Sequence, residues 1–367
     1  MSLAAPLDRS APAALDPESA AADMAAVRVW LWAVAGLVFL MVLVGGATRL
    51  TESGLSITEW RVVTGVLPPL SEAAWLVEFE KYKQIPQYTQ MFPTMTLPEF
   101  KVIYYWEWGH RLLGRVIGLA FALPLAWFWI RGQVRGSLRW KLLGLLALGG
   151  LQGAVGWWMV TSGLVHRTEV APERLATHLL LASFTFTALV AIAVGLKRAP
   201  APSVAEARAA LALRRPAAVL LALVLLQIGV GGLVAGSRAG LTYNTWPLMD
   251  GAFMPAWAHM TNLEPAWRNW FENVAAVQFQ HRMGAYAVFA FACWHAWRAV
   301  RLAPGTGAAR RALALVGMVA AQAGLGIATL LSVNGEIPLG LGLAHQGFAI
   351  LVLGMAAAHW RRIVQST

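Results

Sequence analysis

Eight apolar runs recur along this chain, at about 27–47, 109–130, 140–161, 175–196, 216–236, 279–300, 311–331 and 339–360. Each is near the roughly 20 residues that an α-helix needs to cross the hydrocarbon core of a bilayer. A backbone in hydrocarbon must satisfy its own polar groups, so runs of this kind become helices. With 58% hydrophobic and 13% charged residues in 367, the chain carries more apolar surface than a soluble domain could bury. The expected class is an all-α polytopic membrane protein of eight transmembrane helices.

The net charge of +11 is distributed by side. Arg131, Arg135, Arg139 and Lys141 follow the second run, and Lys197, Arg198, Arg208, Arg214 and Arg215 follow the fourth. Arg298, Arg301, Arg310 and Arg311 join the sixth and seventh runs, and Arg361 and Arg362 close the chain. All of these fall on one side, which the positive-inside rule makes cytoplasmic. The expectation is a bacterial inner (plasma) membrane protein with both termini in the cytoplasm, and the basic charge is topological rather than a sign of nucleic acid. Residues 1–25, rich in Ala and Pro with Asp8, Asp16, Glu18 and Asp23, read as a disordered cytoplasmic tail rather than a targeting peptide. The lone Cys293 excludes an intrachain disulfide or a cysteine metal cluster. On the outer side, two long connections at about 48–108 and 237–277 include the stretches Trp75-Leu-Val-Glu-Phe-Glu-Lys-Tyr82 and Phe100-Lys-Val-Ile-Tyr-Tyr-Trp106. Both stretches read as interfacial helices roofing the bundle.

The chain repeats itself. Val44-Gly-Gly-Ala-Thr-Arg-Leu-Thr-Glu-Ser-Gly-Leu-Ser-Ile-Thr-Glu-Trp60 aligns without a gap on Val230-Gly-Gly-Leu-Val-Ala-Gly-Ser-Arg-Ala-Gly-Leu-Thr-Tyr-Asn-Thr-Trp246. His110-Arg111 then matches His281-Arg282, Gln152-Gly-Ala-Val-Gly156 matches Gln322-Ala-Gly-Leu-Gly326, and His178 matches His345. Each half starts inside and crosses four times, so the repeats are parallel, related by a pseudo-twofold axis along the membrane normal. The domains that follow are a four-helix bundle over 26–198 with outer loop 48–108, a cytoplasmic linker over 199–215, and a second four-helix bundle over 216–367.

Four of the eight histidines occupy these repeated places. In each half one opens the second span and one the fourth, both from the outer side, so each half offers two imidazoles at similar depth. An intramembrane histidine can simply hydrogen-bond a neighbour, but a pair repeated in two halves suits an iron porphyrin held from both faces. Zinc would want four ligands, which neither half supplies. Arg111 and Arg282 are candidate contacts for haem propionates or else snorkel to the head groups. Glu107 stands one helical turn before His110, and the equivalent residue before His281 is Gln278. An ionisable group at the membrane is costly and is a functional candidate, with water at the helix start as the plain alternative. The asymmetry predicts chemistry in the N-terminal half and electron transfer in the C-terminal half. His295 and His359, each fourteen residues beyond a candidate ligand, could hold a second inner haem about 21 Å deeper or belong to an interfacial belt.

The run Gly45–Trp60, the motif Glu107-Trp-Gly-His-Arg-Leu-Leu-Gly-Arg115, and the Thr177-His178, Gln280-His-Arg282 and Ala344-His-Gln346 sites resemble the haem A synthase family in its proteobacterial and mitochondrial branch. The resemblance covers nearly all of the chain beyond residue 25. It implies an oxidoreductase that oxidises the C8 methyl of haem O to a formyl group, giving haem A for the terminal oxidase. By the same resemblance His110 and His178 hold the substrate haem O, and His281 and His345 are the axial ligands of a haem b that relays electrons. Glu107 becomes base or electrostatic stabiliser, and the haem sites lie towards the periplasmic side. Membrane lipid, a haem O synthase and cytochrome oxidase assembly factors are the implied partners, with homo-oligomers left open. Some relatives carry a cysteine pair in the first outer loop, which this chain lacks. A two-haem cytochrome b, a haem carrier and a repeated-half transporter are the rival readings. The electron acceptor and the oxygen source are not legible at this level.

Overall fold

A computed structural model describes residues 17–197 and 201–367. Its helices are α1 (Pro17–Leu50), α2 (Glu72–Tyr82), α3 (Leu97–Ile130), α4 (Gly136–Thr161), α5 (Pro172–Leu196), α6 (Val204–Gly236), α7 (Trp257–Met260), α8 (Val274–Leu302), α9 (Gly307–Leu331) and α10 (Leu339–Gln365). Among the described residues the extended pairing is limited to one bridge, Met249 to Ala252.

Local signals set the helix ends. Thr96 and Glu99 form a capping box ahead of α3, with Pro98 in the first turn, and Ser203 with Glu206 does the same for α6. Asn273 and Thr306 accept from the backbone amides of Ala276 and Ala309 at the starts of α8 and α9. These caps move two expected boundaries. The Phe100–Trp106 stretch is not a separate interfacial helix but the first turns of α3, because the box at Thr96 starts the helix well before the apolar run. Arg208, Arg214 and Arg215 lie within α6 rather than in an irregular linker. The helix α1 begins at Pro17, inside the stretch read as a disordered tail, whose residues 1–16 lie outside the described residues.

Seven of the eight long helices are long and apolar enough to cross a membrane by themselves. The exception is α8, which carries Gln278, Arg282 and His295, all buried inside the protein. Lipid does not meet these groups, so the helix keeps its place by packing on α6 and α9. The molecule is a multi-pass membrane protein.

The helices close two rings. In the first, α1 packs on α3, α3 on α4, α4 on α5, and α5 on α1. In the second, α6, α8, α9 and α10 follow one another in the same order. The rings meet through α5 on α6, α1 on α10 and α5 on α10. A continuous apolar core, including Leu31, Leu142, Leu189, Leu220, Leu315 and Leu353, runs through both. Over the first ring, α2 lays Trp75, Phe79 and Tyr82 onto Phe100 and Tyr104 of α3 and forms the expected roof. The Trp75 and Tyr104 rings meet edge to face at 4.9 Å.

The cationic ends carry an aromatic belt. Arg131 stacks on Trp127, Arg139 on Trp129 and Trp140, Arg298 on Trp294, and Arg301 on Trp297. Such amphipathic pairs suit the water–lipid boundary.

Candidate haem sites

His110 lies on α3 and His178 on α5, diagonal helices of the first ring; His281 on α8 and His345 on α10 are diagonal in the second. Diagonal placement points all four imidazoles at a ring interior. Glycines make the space. A Cβ on Gly45 would stand 3.4 Å from Cε1 of His110, and one on Gly231 3.2 Å from Cε1 of His281. On Gly156 it would come within 2.8 Å of His178, and on Gly326 within 2.7 Å of His345. Any side chain at the last two positions would push the imidazole out of place.

The rings of His281 and His345 stand 6.3 Å apart between centroids, crossed at 82°. Two metal–imidazole bonds of about 2.0 Å, with about 1.2 Å from each nitrogen to its ring centre, span about 6.4 Å. The spacing therefore matches one iron held between two neutral imidazoles. Three of the four histidines also carry a glutamine on Nδ1. Gln152 lies 3.1 Å from His178, Gln227 3.0 Å from His281 and Gln322 3.0 Å from His345. Each amide also donates to the backbone carbonyl of its histidine. The same amide nitrogens lie 3.4 and 3.5 Å from Nε2 of His178 and His345; for Nε2 to ligate a metal, Nδ1 must carry the proton and face an acceptor, which the amide oxygen supplies on rotation.

Glu107 is 3% exposed, so it is not a carboxylate sitting in water. Its Oε2 accepts from Ser56 Oγ at 2.7 Å and from the Ile57 amide at 2.8 Å. Its Oε1 accepts from Arg111 Nη2 at 2.6 Å and Nε at 3.1 Å. Arg111 spends its other donors on the carbonyls of Ile57 and Glu59. The C-terminal half copies this frame in neutral form. Gln278 donates to the carbonyls of Ala239 and Thr242 and accepts from Arg282, which in turn holds the carbonyls of Tyr243 and Leu248. Both arginines thus face the outer connections, not the head groups. Arg282 keeps a buried Nε with no partner among the described residues, a donor free for an anionic group.

His295 and His359 are 0% and 1% exposed, so the interfacial belt position is wrong: the pair fills the inner end of the second ring. Their Nε2 atoms are hydrogen-bonded at 2.8 Å. Two metal–nitrogen bonds would need about 4 Å between those atoms, so this arrangement leaves no gap for an iron. The equivalents in the first ring are Pro124 and Ile192, which is why nothing similar forms there.

The sequence pattern did not single out Gln227, Ser56 or the Ile57 amide. Gln227 has no counterpart in the other half, where Met41 stands, and the loop donors to Glu107 meet it only through folding.

A family model described as cytochrome oxidase assembly protein (COX15-CtaA) matches residues 28–357. The chain belongs to the haem A synthase family. It is 54% identical over 360 residues to a Heme A synthase of Beijerinckia indica, covering 98% of this chain and 99% of that one. It is 55% identical over 339 residues to one of Mesorhizobium japonicum, covering 92% and 91%, and 55% identical over 341 residues to one of a Bradyrhizobium species, covering 93% and 92%. Family membership therefore extends over both rings and includes all four histidines.

Proposed function

We propose that the protein is a haem A synthase, an oxidoreductase converting haem O to haem A, with eight membrane spans in two parallel repeats. The observation that carries the reading is a contrast between like sites: two equivalently framed histidine pairs, of which only the N-terminal one is bordered by a buried carboxylate. His110 and His178 hold the substrate haem O. His281 and His345 hold a resident haem b, which when bound supplies a one-electron relay. The free Nε of Arg282 offers that haem's propionate a partner, and Arg111 stands at the matching place in the substrate half.

Taking a methyl group to a formyl group removes electrons and protons and brings in one oxygen atom. Positive charge develops on the carbon as it is oxidised. Glu107 answers that charge as a fixed anion. Both of its oxygens already accept two hydrogen bonds, so it is held in one orientation, and preorganisation of this kind is the larger part of much catalysis. Its Arg111 partner keeps the carboxylate at low cost inside the protein. The α2 roof and the aromatic cluster beneath it shield this region from bulk water. The cationic, Trp-flanked ends face the cytoplasm of a bacterial inner membrane, which puts both termini inside and the haem sites on the periplasmic side. A haem O-producing enzyme supplies the substrate, and oxidase assembly receives the product.

Haem extracted from protein co-expressed with a haem O-producing enzyme tests this. Haem b with haem O and haem A is expected for the wild type, and haem b without haem A for Glu107→Gln. Haem b alone in both, at two per chain, would overturn the reading in favour of an electron-carrying cytochrome.

A further inference from the structure

Three of the four candidate ligands are braced by glutamine, and one is not. The unbraced one is His110. In the second ring Gln227 of α6 reaches His281 because Gly284 of α8 makes room: a Cβ there would overlap the Gln227 amide oxygen. The repeat places Met41 at the position of Gln227 and Leu113 at that of Gly284. Met41 turns its methyl towards Gly114 instead, 3.5 Å from where a Cβ would stand. Gly45 backs His110 much as Gly231 backs His281. Apart from Glu107 against Gln278, the two environments therefore differ by one amide and the glycine that admits it.

Resting on the function proposed above, we infer that Gln227 with Gly284 makes the C-terminal haem permanent, and that Met41 with Leu113 leaves His110 an exchangeable ligand. Substrate haem O enters, and product haem A leaves, by making and breaking the iron bond to His110 while His178, braced by Gln152, keeps its orientation. No electron moves in this exchange; one iron–nitrogen bond forms or breaks. The physical reason is that an imidazole whose second nitrogen is held loses less freedom on binding and is the more basic donor. Gln152 and Gln322 each hold a buried Oε1 without a partner among the described residues. Gln227 likewise presents its amide nitrogen to Nδ1, and in all three, amide rotation would bring the oxygen to an Nδ1–H once Nε2 has turned to a metal. His110 has no such reserve. Gln227 is a positioning residue and does not touch the reacting carbon.

The test is haem transfer from the purified full-length protein to excess apomyoglobin, followed by absorbance, with the haem type identified by extraction. Removal of such a brace typically costs 10- to 100-fold in metal affinity. Haem b is expected to leave Gln227→Met roughly 10- to 100-fold faster than wild type, and Gln227→Glu, which offers Nδ1–H an acceptor without amide rotation, to restore retention and lower the haem b potential. The reciprocal Met41→Gln/Leu113→Gly protein is expected to release haem O and haem A at least about tenfold more slowly than wild type. A gain of retention cannot come from misfolding. Unchanged haem b release in Gln227→Met together with unchanged haem O release in the reciprocal variant would overturn the inference and leave the proposed function standing. Wild-type protein that holds no haem b would overturn both.

Discussion

The two rings share a frame and differ in what they put on it. At the position one turn before the outer histidine the first ring has a buried carboxylate, and the second has an amide on the same backbone framework. At the far end the second ring has a closed pair of histidines, His295 and His359, where the first has Pro124 and Ile192. The second ring is thus polar and braced at two depths. The first is braced once, charged at its outer end and apolar below. Under the proposed function the two rings have different tasks. A resident cofactor needs permanence, whereas a substrate needs a charge where it reacts and a way out.

The comparison breaks most completely if either histidine pair is removed. His281→Ala with His345→Ala is expected to abolish haem b binding, and His110→Ala with His178→Ala to abolish haem O binding while haem b stays, as pigment extraction will show. Retention of haem b in the first variant would mean the halves had been assigned the wrong way round.

Next comes the carboxylate. Glu107→Gln makes the first ring resemble the second and is expected to lower turnover by about 10²–10³-fold, the usual cost of losing one preorganised group. The reverse change, Gln278→Glu, is expected to confer no synthase activity on the second ring.

A smaller effect concerns how the halves are joined. Glu52 and Arg238 are equivalent positions of the repeat, both in the left-handed region (φ 55° and 52°), and they pair with each other at 2.5 Å. Arg49 joins Glu52 at 3.2 Å and Glu169 at 2.5 Å, and Arg238 also pairs with Glu169. Four charges therefore close the outer seam between the rings. Glu52→Arg is expected to destabilise by about 1–3 kcal/mol, between the values for exposed and buried pairs. The swap Glu52→Arg/Arg238→Glu is expected to recover most of it in thermal unfolding. Additive losses in the double variant would show that the seam does not depend on this contact.

The mildest prediction is an acid effect on the second outer connection. Glu272 accepts from Arg268 at 2.9 and 3.0 Å and from Arg167 of the first half at 2.6 Å. The Arg268 hydrogen bonds hold its carboxyl below the usual range. A depressed folded value means the contribution is complete above the unfolded value of about 4.3 and is lost as the pH falls through the folded one. Hydrogen exchange in the 237–273 connection should rise at acid pH, and this rise should be absent in Glu272→Gln.

Much of this architecture is legible in the sequence because a bilayer allows few solutions. Apolar length leads to the helices, and the repeated order of motifs singles out His110 with His178 and His281 with His345. Boundaries were less legible: the Thr96 box starts α3 well before the apolar run, and the cap at Ser203 draws Arg208, Arg214 and Arg215 into a helix. The Trp and Arg neighbours of His295 and His359 suggested an interfacial belt as well, since flanking residues cannot tell which side of a helix faces the bundle interior.

The sequence by itself determined the helical membrane class and the family, and it singled out the four histidines and Glu107 as candidates, because periodicity, charge placement and motifs are local properties of the chain. The tertiary structure alone decided that Glu107 is saturated by a loop some fifty residues away, that Gln227 braces His281 while Met41 leaves His110 without a brace, and that the inner histidines close on each other. Those contacts join helices far apart in the chain. Which side chain reaches which imidazole depends on the diagonal of a ring that exists only once the helices have packed.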